Sequence, residues 1–197
     1  MPAQNLNFAP RPASKPCGAI LDHWQALRGD RLRPRRSEID PAALVRFLPN
    51  IGIFEVVAPD VTLCRLAGTA FQRSLGFELT GRNVAELYGP TLYRAAGYRF
   101  HAMATQPCGA MFDLVLRFAS GAENPHEIML LPLEPEQPGA SPTLLVGAAP
   151  IRAVEWENTA VLPQLNPSPN FRFIDIGAGI QASLLPPDDF GKPNADG

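Results

Sequence analysis

At 197 residues, 46% of them hydrophobic, the chain is long enough for one domain with a sizeable core, and wholesale disorder is excluded. A net charge of -2 argues against a dedicated nucleic-acid binder, whose basic footprint would dominate the domain. The charge is uneven: residues 1–50 carry eight Lys and Arg against four acids, and residues 121–197 carry three against ten. The 22 prolines are uneven too, with only Pro90 between Asp60 and Gln106 but four in the first sixteen residues and six in the last thirty-five. This pattern predicts a foldable centre, residues 18–157, between a flexible Pro-rich arm, 1–17, and a Pro-rich, acidic, partly disordered tail, 158–197.

Cys17, Cys64 and Cys108 are widely spaced with no C-x-x-C pair, so neither a disulfide framework nor a zinc knuckle is encoded. The N-terminus has no apolar signal region, and the longest uncharged apolar stretch, Thr143 to Ile151, is far short of a membrane span. A cytoplasmic protein is expected.

In chain order, Ile20, Leu21, Trp24 and Leu27 fall at helical spacing and predict an amphipathic helix over residues 18–28. Five arginines, Arg28 to Arg36, then form a connector, read as solvated with some of them pairing Asp30, Glu38 or Asp40, or as a surface for phosphate or an acidic partner. Asp40 followed by Pro41 predicts a short capped helix over 42–47. Ile51 to Val57 and Val61 to Leu66, separated by Ala-Pro-Asp, read as a β-hairpin. Short helical pieces follow, then a longer helix over 91–105. On it Leu92, Ala96, Phe100 and Met103 share one face, and Arg94, His101 and Thr105 lie opposite. Met111 to Phe118 alternates as a half-buried strand, and His126 to Leu133 and Thr143 to Trp156 are two more β runs. Pro132 and Pro150 inside these runs suggest edges or bulges. The order predicts an α+β fold: a five-stranded antiparallel sheet with helices packed on one face, preceded by the N-terminal helix. FRFIDIGAG, residues 171–179, is expected to pack on the edge of the domain or on a partner.

The segments WQALRG, RLRPRRSEIDP, LPNIGIFEV, CRLAGTAFQRSLGFELTGRNVAEL and EIMLLPL, in this order and spacing, resemble the stand-alone PAS-domain proteins of alphaproteobacteria, a PAS subfamily long described as a domain of unknown function. The resemblance runs from about Gly18 to Val154. It implies a sensory or regulatory module that holds a small ligand between sheet and helices, dimerises through its N-terminal helix or outer sheet face, and signals to a partner such as a histidine kinase. Residues outside the domain leave no room for a kinase, cyclase or DNA-binding domain, so output is expected through a partner or through oligomerisation.

The same resemblance frames the cofactor question. Flavin photoreceptors of the PAS class carry a reactive cysteine in an N-C-R-F-L-Q helix, whereas Cys64-Arg65-Leu66 lies in a β run without the flanking Asn or Gln. A haem-binding member needs an inward histidine on the long helix, and His101 falls on the outward side. Neither flavin nor haem is expected, and the cofactor is unassigned. His23, His101 and His126 have no metal-ligand spacing, and G-x-S-x-G and G-K-[ST] signatures are lacking, so no catalytic residue or metal is assigned.

The candidate ligand contacts are Phe100 and Met103 on the long helix and Arg65 and Glu127 on strands, for a small apolar or anionic ligand. Arg65 reads either as inward, where a buried guanidinium must be paired, or as outward and paired with Glu55. Two other functions remain open: an isomerase-like α+β enzyme, which needs an acid/base pair in the pocket from carboxylates such as Glu55, Asp113 or Glu127, and a purely structural homodimer.

Overall fold

The computed structural model describes residues 11–117, 121–151, 164–167 and 170–180. Helix α1 spans Lys15–Arg28. It begins three residues before the predicted helix because the Ser14 hydroxyl accepts from the Cys17 amide at 3.3 Å and Pro16 sits in the first turn, where its missing N–H is not needed. The end of the expected flexible arm is therefore part of the helix and its cap. In place of the predicted helix over 42–47, the Asp40 carboxylate accepts from the Ala42 amide at 2.8 Å and a 3-10 segment follows at Val45–Asn50.

Strands β1 (Ile51–Ala58) and β2 (Val61–Ala67) form the predicted hairpin. Helix α2 (Thr69–Leu75), a 3-10 segment at Val84–Tyr88 and helix α3 (Gly89–Thr105) come next. Strands β3 (Gly109–Arg117), β4 (Glu123–Leu133) and β5 (Thr143–Pro150) complete the five expected strands. The predicted last run stops as a strand at Pro150, with its end, 152–156, outside the described residues. The sheet is antiparallel in the order β2-β1-β5-β4-β3.

Two short strands lie beyond the five. Strands β6 (Gln164–Pro167) and β7 (Arg172–Ile174) both pair with β3, β6 against Leu114–Arg117 and β7 against Gly109–Met111. They cover backbone donors and acceptors that an edge strand otherwise leaves open. The expected packing of residues 171–179 on the domain edge takes this form, with Ile174 and Ile176 buried.

Helices cover both faces of the sheet. On the inner face Phe54, Phe71, Phe100, Phe112, Leu130 and Val146 belong to one core, closed by α2, the 3-10 segment at Val84–Tyr88, and α3. On the outer face α1 lays Cys17, Ile20, Leu21 and Trp24 on Ile53, Met129, Leu131 and Leu145, a second core. Close approach of α1 to the sheet depends on Gly147, where a Cβ would come within 3.2 Å of Ile20 Cδ1 and 3.3 Å of Cys17 Sγ. The Trp24 indole N–H donates to the Pro132 carbonyl at 3.0 Å. Pro132 is tolerated in β4 because the β3–β4 ladder ends at Ala110 and Leu130, leaving β4 an edge on that side there.

The arginine connector is largely paired. Arg31 forks onto both Glu38 carboxylate oxygens at 2.9 Å, as the local spacing suggested. Arg33 pairs with Glu134 and Arg28 donates to the Ile176 carbonyl, contacts that span more than a hundred residues. No helix among the described residues is long and apolar enough to cross a membrane.

Glu127 joins α1 to β4: its carboxylate oxygens accept from the Ala13 and Ser14 amides at 2.7 and 2.9 Å. Both amides precede the first turn of the helix, so the buried carboxylate also faces the positive end of its dipole. Replacing it, Glu127→Ala, strands these donors in a largely dry contact and should destabilise the fold by about 1–3 kcal/mol in urea denaturation. Amide exchange at residues 13–17 should accelerate in the same variant. A loss below about 0.5 kcal/mol would show that the N-terminal clasp contributes little.

Candidate functional site

Between the inner face of the sheet and its helical cover lies a partly open cavity of about 80 Å³. Sheet residues Phe54, Phe112, Leu114, Ile128, Leu130, Val146 and Ala148 form its floor, and Phe71 and Leu75 of α2 with Leu87, Tyr88 and Phe100 form its roof. The side chains of these three helical elements do not fill the whole concave surface, and space remains. Next to it, a pocket of about 20 Å³ shares Tyr88, Phe100, Phe112 and Leu130 and is bounded also by Arg99, Met103 and Phe171.

Two polar side chains meet in the main cavity wall. Ser74, on α2, places Oγ 3.0 Å from His126 Nε2, on β4. The other ring nitrogen, Nδ1, lies 3.2 Å from the Asn124 carbonyl, which can only accept. Nδ1 therefore carries the proton, and Nε2 accepts from the Ser74 hydroxyl. Burial pushes the His126 pKa below its ordinary value of 6.5, outweighing the Asn124 contact, so the ring is neutral at neutral pH. Asn124 lies two residues along the same strand face, fully buried, with neither side-chain amide atom hydrogen-bonded.

Tyr88 and Arg99 flank the smaller pocket. Burial raises the Tyr88 hydroxyl well above its usual range, against the pull of Arg99, so it stays a neutral phenol. Burial also lowers Arg99 to about 10, which leaves it charged at neutral pH. Its guanidinium stacks 4.6 Å over the Phe171 ring, and Phe171 in turn stacks on Phe112 at 5.1 Å. Segment 170–176 thus closes this end of the inner core.

The four candidate ligand contacts fall in three places. Phe100 lines both cavities and Met103 the smaller one. Arg65 turns outward on β2 and forms an ion pair with Glu55. Glu127 lies on the opposite face of the sheet, bound to the start of α1. Asp113 is exposed enough to hydrogen-bond Asn170, so none of Glu55, Asp113 and Glu127 supplies the cavity with the acid/base pair an isomerase needs.

Cys64 is buried in β2, its thiol 3.3 Å from the Leu66 carbonyl and raised to about 11, and it does not line the cavity. The Cys17 and Cys108 thiols are likewise pushed up to about 12 by burial. His101 is half-buried on α3 outside the cavity lining, and His23 accepts from the Asp40 amide at 3.3 Å. Among the described residues no group of His, Cys, Asp and Glu could hold a metal ion.

Ser74, His126 and Tyr88 escaped the sequence reading as site residues. A two-residue period groups His126 with Ile128 and Leu130, but it groups Glu127 equally with Met129 and Leu131 and so does not choose between them. Ser74 carried no signal beyond a place in a short helical piece.

Residues 13–148, about two thirds of the chain, match the PAS domain family. The chain belongs to that family. Its sheet, inner helices and cavity are accordingly those of a PAS domain, here with α1 laid over the outer face. No curated protein matches the sequence. Among solved structures, a light-oxygen-voltage domain from a study of a flavin analogue is 19% identical over 55% of this PAS domain chain and 82% of the other, with a TM-score of 0.41. The Rhodobacter sphaeroides LOV protein is 16% identical over 51% and 58%, with a TM-score of 0.39. The blue-light photoreceptor Aureochrome1 LOV domain in its light state is 19% identical over 55% and 85%, also at 0.39. Likenesses this distant carry nothing about ligand or mechanism.

A neutral, buried histidine couples stability to pH. Above pH 6.5 the folded and unfolded chains both hold the ring neutral. As pH falls below that value the unfolded chain takes a proton that the folded one resists, so stability decreases, by at most about 1.4 kcal/mol per pH unit. In urea denaturation at pH 7.5 and 5.5 the wild type should lose more stability than His126→Leu. Equal losses would place the His126 pKa at its unfolded value.

Proposed function

We propose that this PAS domain is a non-enzymatic sensory or regulatory module that takes a small, largely apolar ligand in its inner cavity and signals through a partner protein, such as a histidine kinase, or through its own dimer. Membership of the PAS family fits a sensory role. The single observation that carries the ligand reading is the cavity of about 80 Å³ left in the inner core, its described lining apolar apart from Ser74, His126 and Tyr88. An anionic ligand finds less support, because Arg65 points away and no Lys or Arg among the described residues lines the main cavity. Output would pass through α1, which covers the outer sheet face, and through the charged, proline-rich ends.

Protein purified from its own host should release a small molecule on denaturation after native mass spectrometry. Filling the cavity from β5 with Ala148→Leu should abolish that mass while the fold survives. A ligand at a hundredfold excess over its Kd should stabilise the wild type by about 2.7 kcal/mol and the variant not at all. Protein that carries no molecule, and whose melting is unmoved by a panel of small neutral compounds, would contradict the ligand reading.

A further inference from the structure

We propose that the ligand of the inner cavity is an uncharged molecule with a short apolar body and one hydroxyl group, and that this hydroxyl replaces Ser74 as donor to His126 Nε2, releasing α2 from β4. The inference rests on the ligand reading above and adds the chemical class of the ligand and its first effect.

With Nδ1–H committed to the Asn124 carbonyl, His126 presents Nε2 to the cavity as an acceptor. A ketone, ether or ester would set a lone pair against another lone pair there. A carboxylate would add a buried charge with no cation among the described lining residues, and an ammonium would lose its hydration for a single hydrogen bond. A hydroxyl donates to Nε2 and leaves the remainder of the molecule in apolar surroundings.

Ser74 can yield that bond. It lies in α2, and a serine within a helix can turn its hydroxyl to a carbonyl one turn earlier, here that of Ala70, so displacement does not strand it. Helix α2 is only seven residues long and ends at Gly76 with φ of 78°. Gln72 and Arg73 are exposed while Phe71, Ser74 and Leu75 are buried, so α2 turns one face to the cavity and the other outward. Exchange of its donor at His126 therefore changes a surface element directly.

Size narrows the class. The cavity, partly open, is roughly half the ~150 Å³ of an engineered apolar cavity that accepts benzene, which limits the ligand to an alcohol of a few carbons, any excess length being taken up as α2 is released.

The test compares 1-butanol with 1-chlorobutane, which keeps the carbon chain and replaces the hydroxyl with a group that cannot donate. Both are titrated by NMR, following methyl groups of the cavity, into wild type, Ser74→Ala and His126→Leu. Removing the competing donor in Ser74→Ala should shift the ratio of affinities toward butanol by about three- to tenfold, and removing the acceptor in His126→Leu should shift it toward chlorobutane by a similar factor. Butanol, and not chlorobutane, should also speed amide exchange in α2 of the wild type. If Ser74→Ala fails to fold, the comparison of wild type with His126→Leu decides. Both probes binding with a ratio that neither substitution moves would overturn the hydroxyl inference and leave the ligand reading standing. Neither probe disturbing the cavity in any of the three proteins would overturn both.

Discussion

Strand β4 is buried on both faces, and the structure is organised around its two-residue alternation. His126, Ile128 and Leu130 face the inner core, while Glu127, Met129, Leu131 and Leu133 face the outer one. A strand apolar on both sides cannot leave either face of its sheet in water, so the chain must supply two covers. The first is the run of α2, the 3-10 segment at Val84–Tyr88, and α3. The second is α1. Glu127 and His126 are adjacent in sequence, yet a one-residue step sends the carboxylate to a helix N-terminus and the imidazole to a cavity. Polar chemistry on each face is thereby kept apart.

The two covers differ in quality. Helix α1 is fourteen residues long, capped at Ser14, fixed by Trp24 to Pro132 and seated on Gly147, which lets helix and sheet come close. The inner cover joins the seven-residue α2 and a 3-10 segment to the seventeen-residue α3, and leaves a cavity whose apolar wall carries the neutral polar groups of Ser74, His126 and Tyr88. Consistency of pattern with burial holds through the outer core and is relaxed at the Ser74–His126 contact, the place where the ligand reading puts function.

Much of the architecture is legible in the sequence because its elements are strongly periodic. Helix α1 follows from Ile20, Leu21 and Trp24, the α3 buried face from Ala96, Phe100 and Met103, and β3 from Phe112, Leu114 and Leu116. The site is less legible for a reason that lies in β4 itself. HEIMLLPL is a nearly continuous apolar run, and without alternation a sequence does not say which of His126 and Glu127 faces the helices. Arg65 turns out to be settled by a β-bulge: it is the extra residue between Cys64 and Leu66, which pair with Phe54 and Ile53, and from there it reaches Glu55, itself across from Leu63. Strands β6 and β7 are too short and too close to prolines to give a strand pattern, and they exist because β3 has an edge to cover. The contacts of Arg28 and Arg33 with Ile176 and Glu134 depend on tertiary placement alone.

The central claim is that the cavity of this PAS domain presents a neutral imidazole whose Nε2 is unprotonated and accepts from Ser74. The 15N NMR spectrum of the His126 ring at neutral pH tests it most directly, since protonated and bare ring nitrogens resonate far apart. One protonated nitrogen, assigned to Nδ1, and one bare nitrogen, assigned to Nε2, is the predicted result. A doubly protonated ring, or the proton on Nε2, would contradict it.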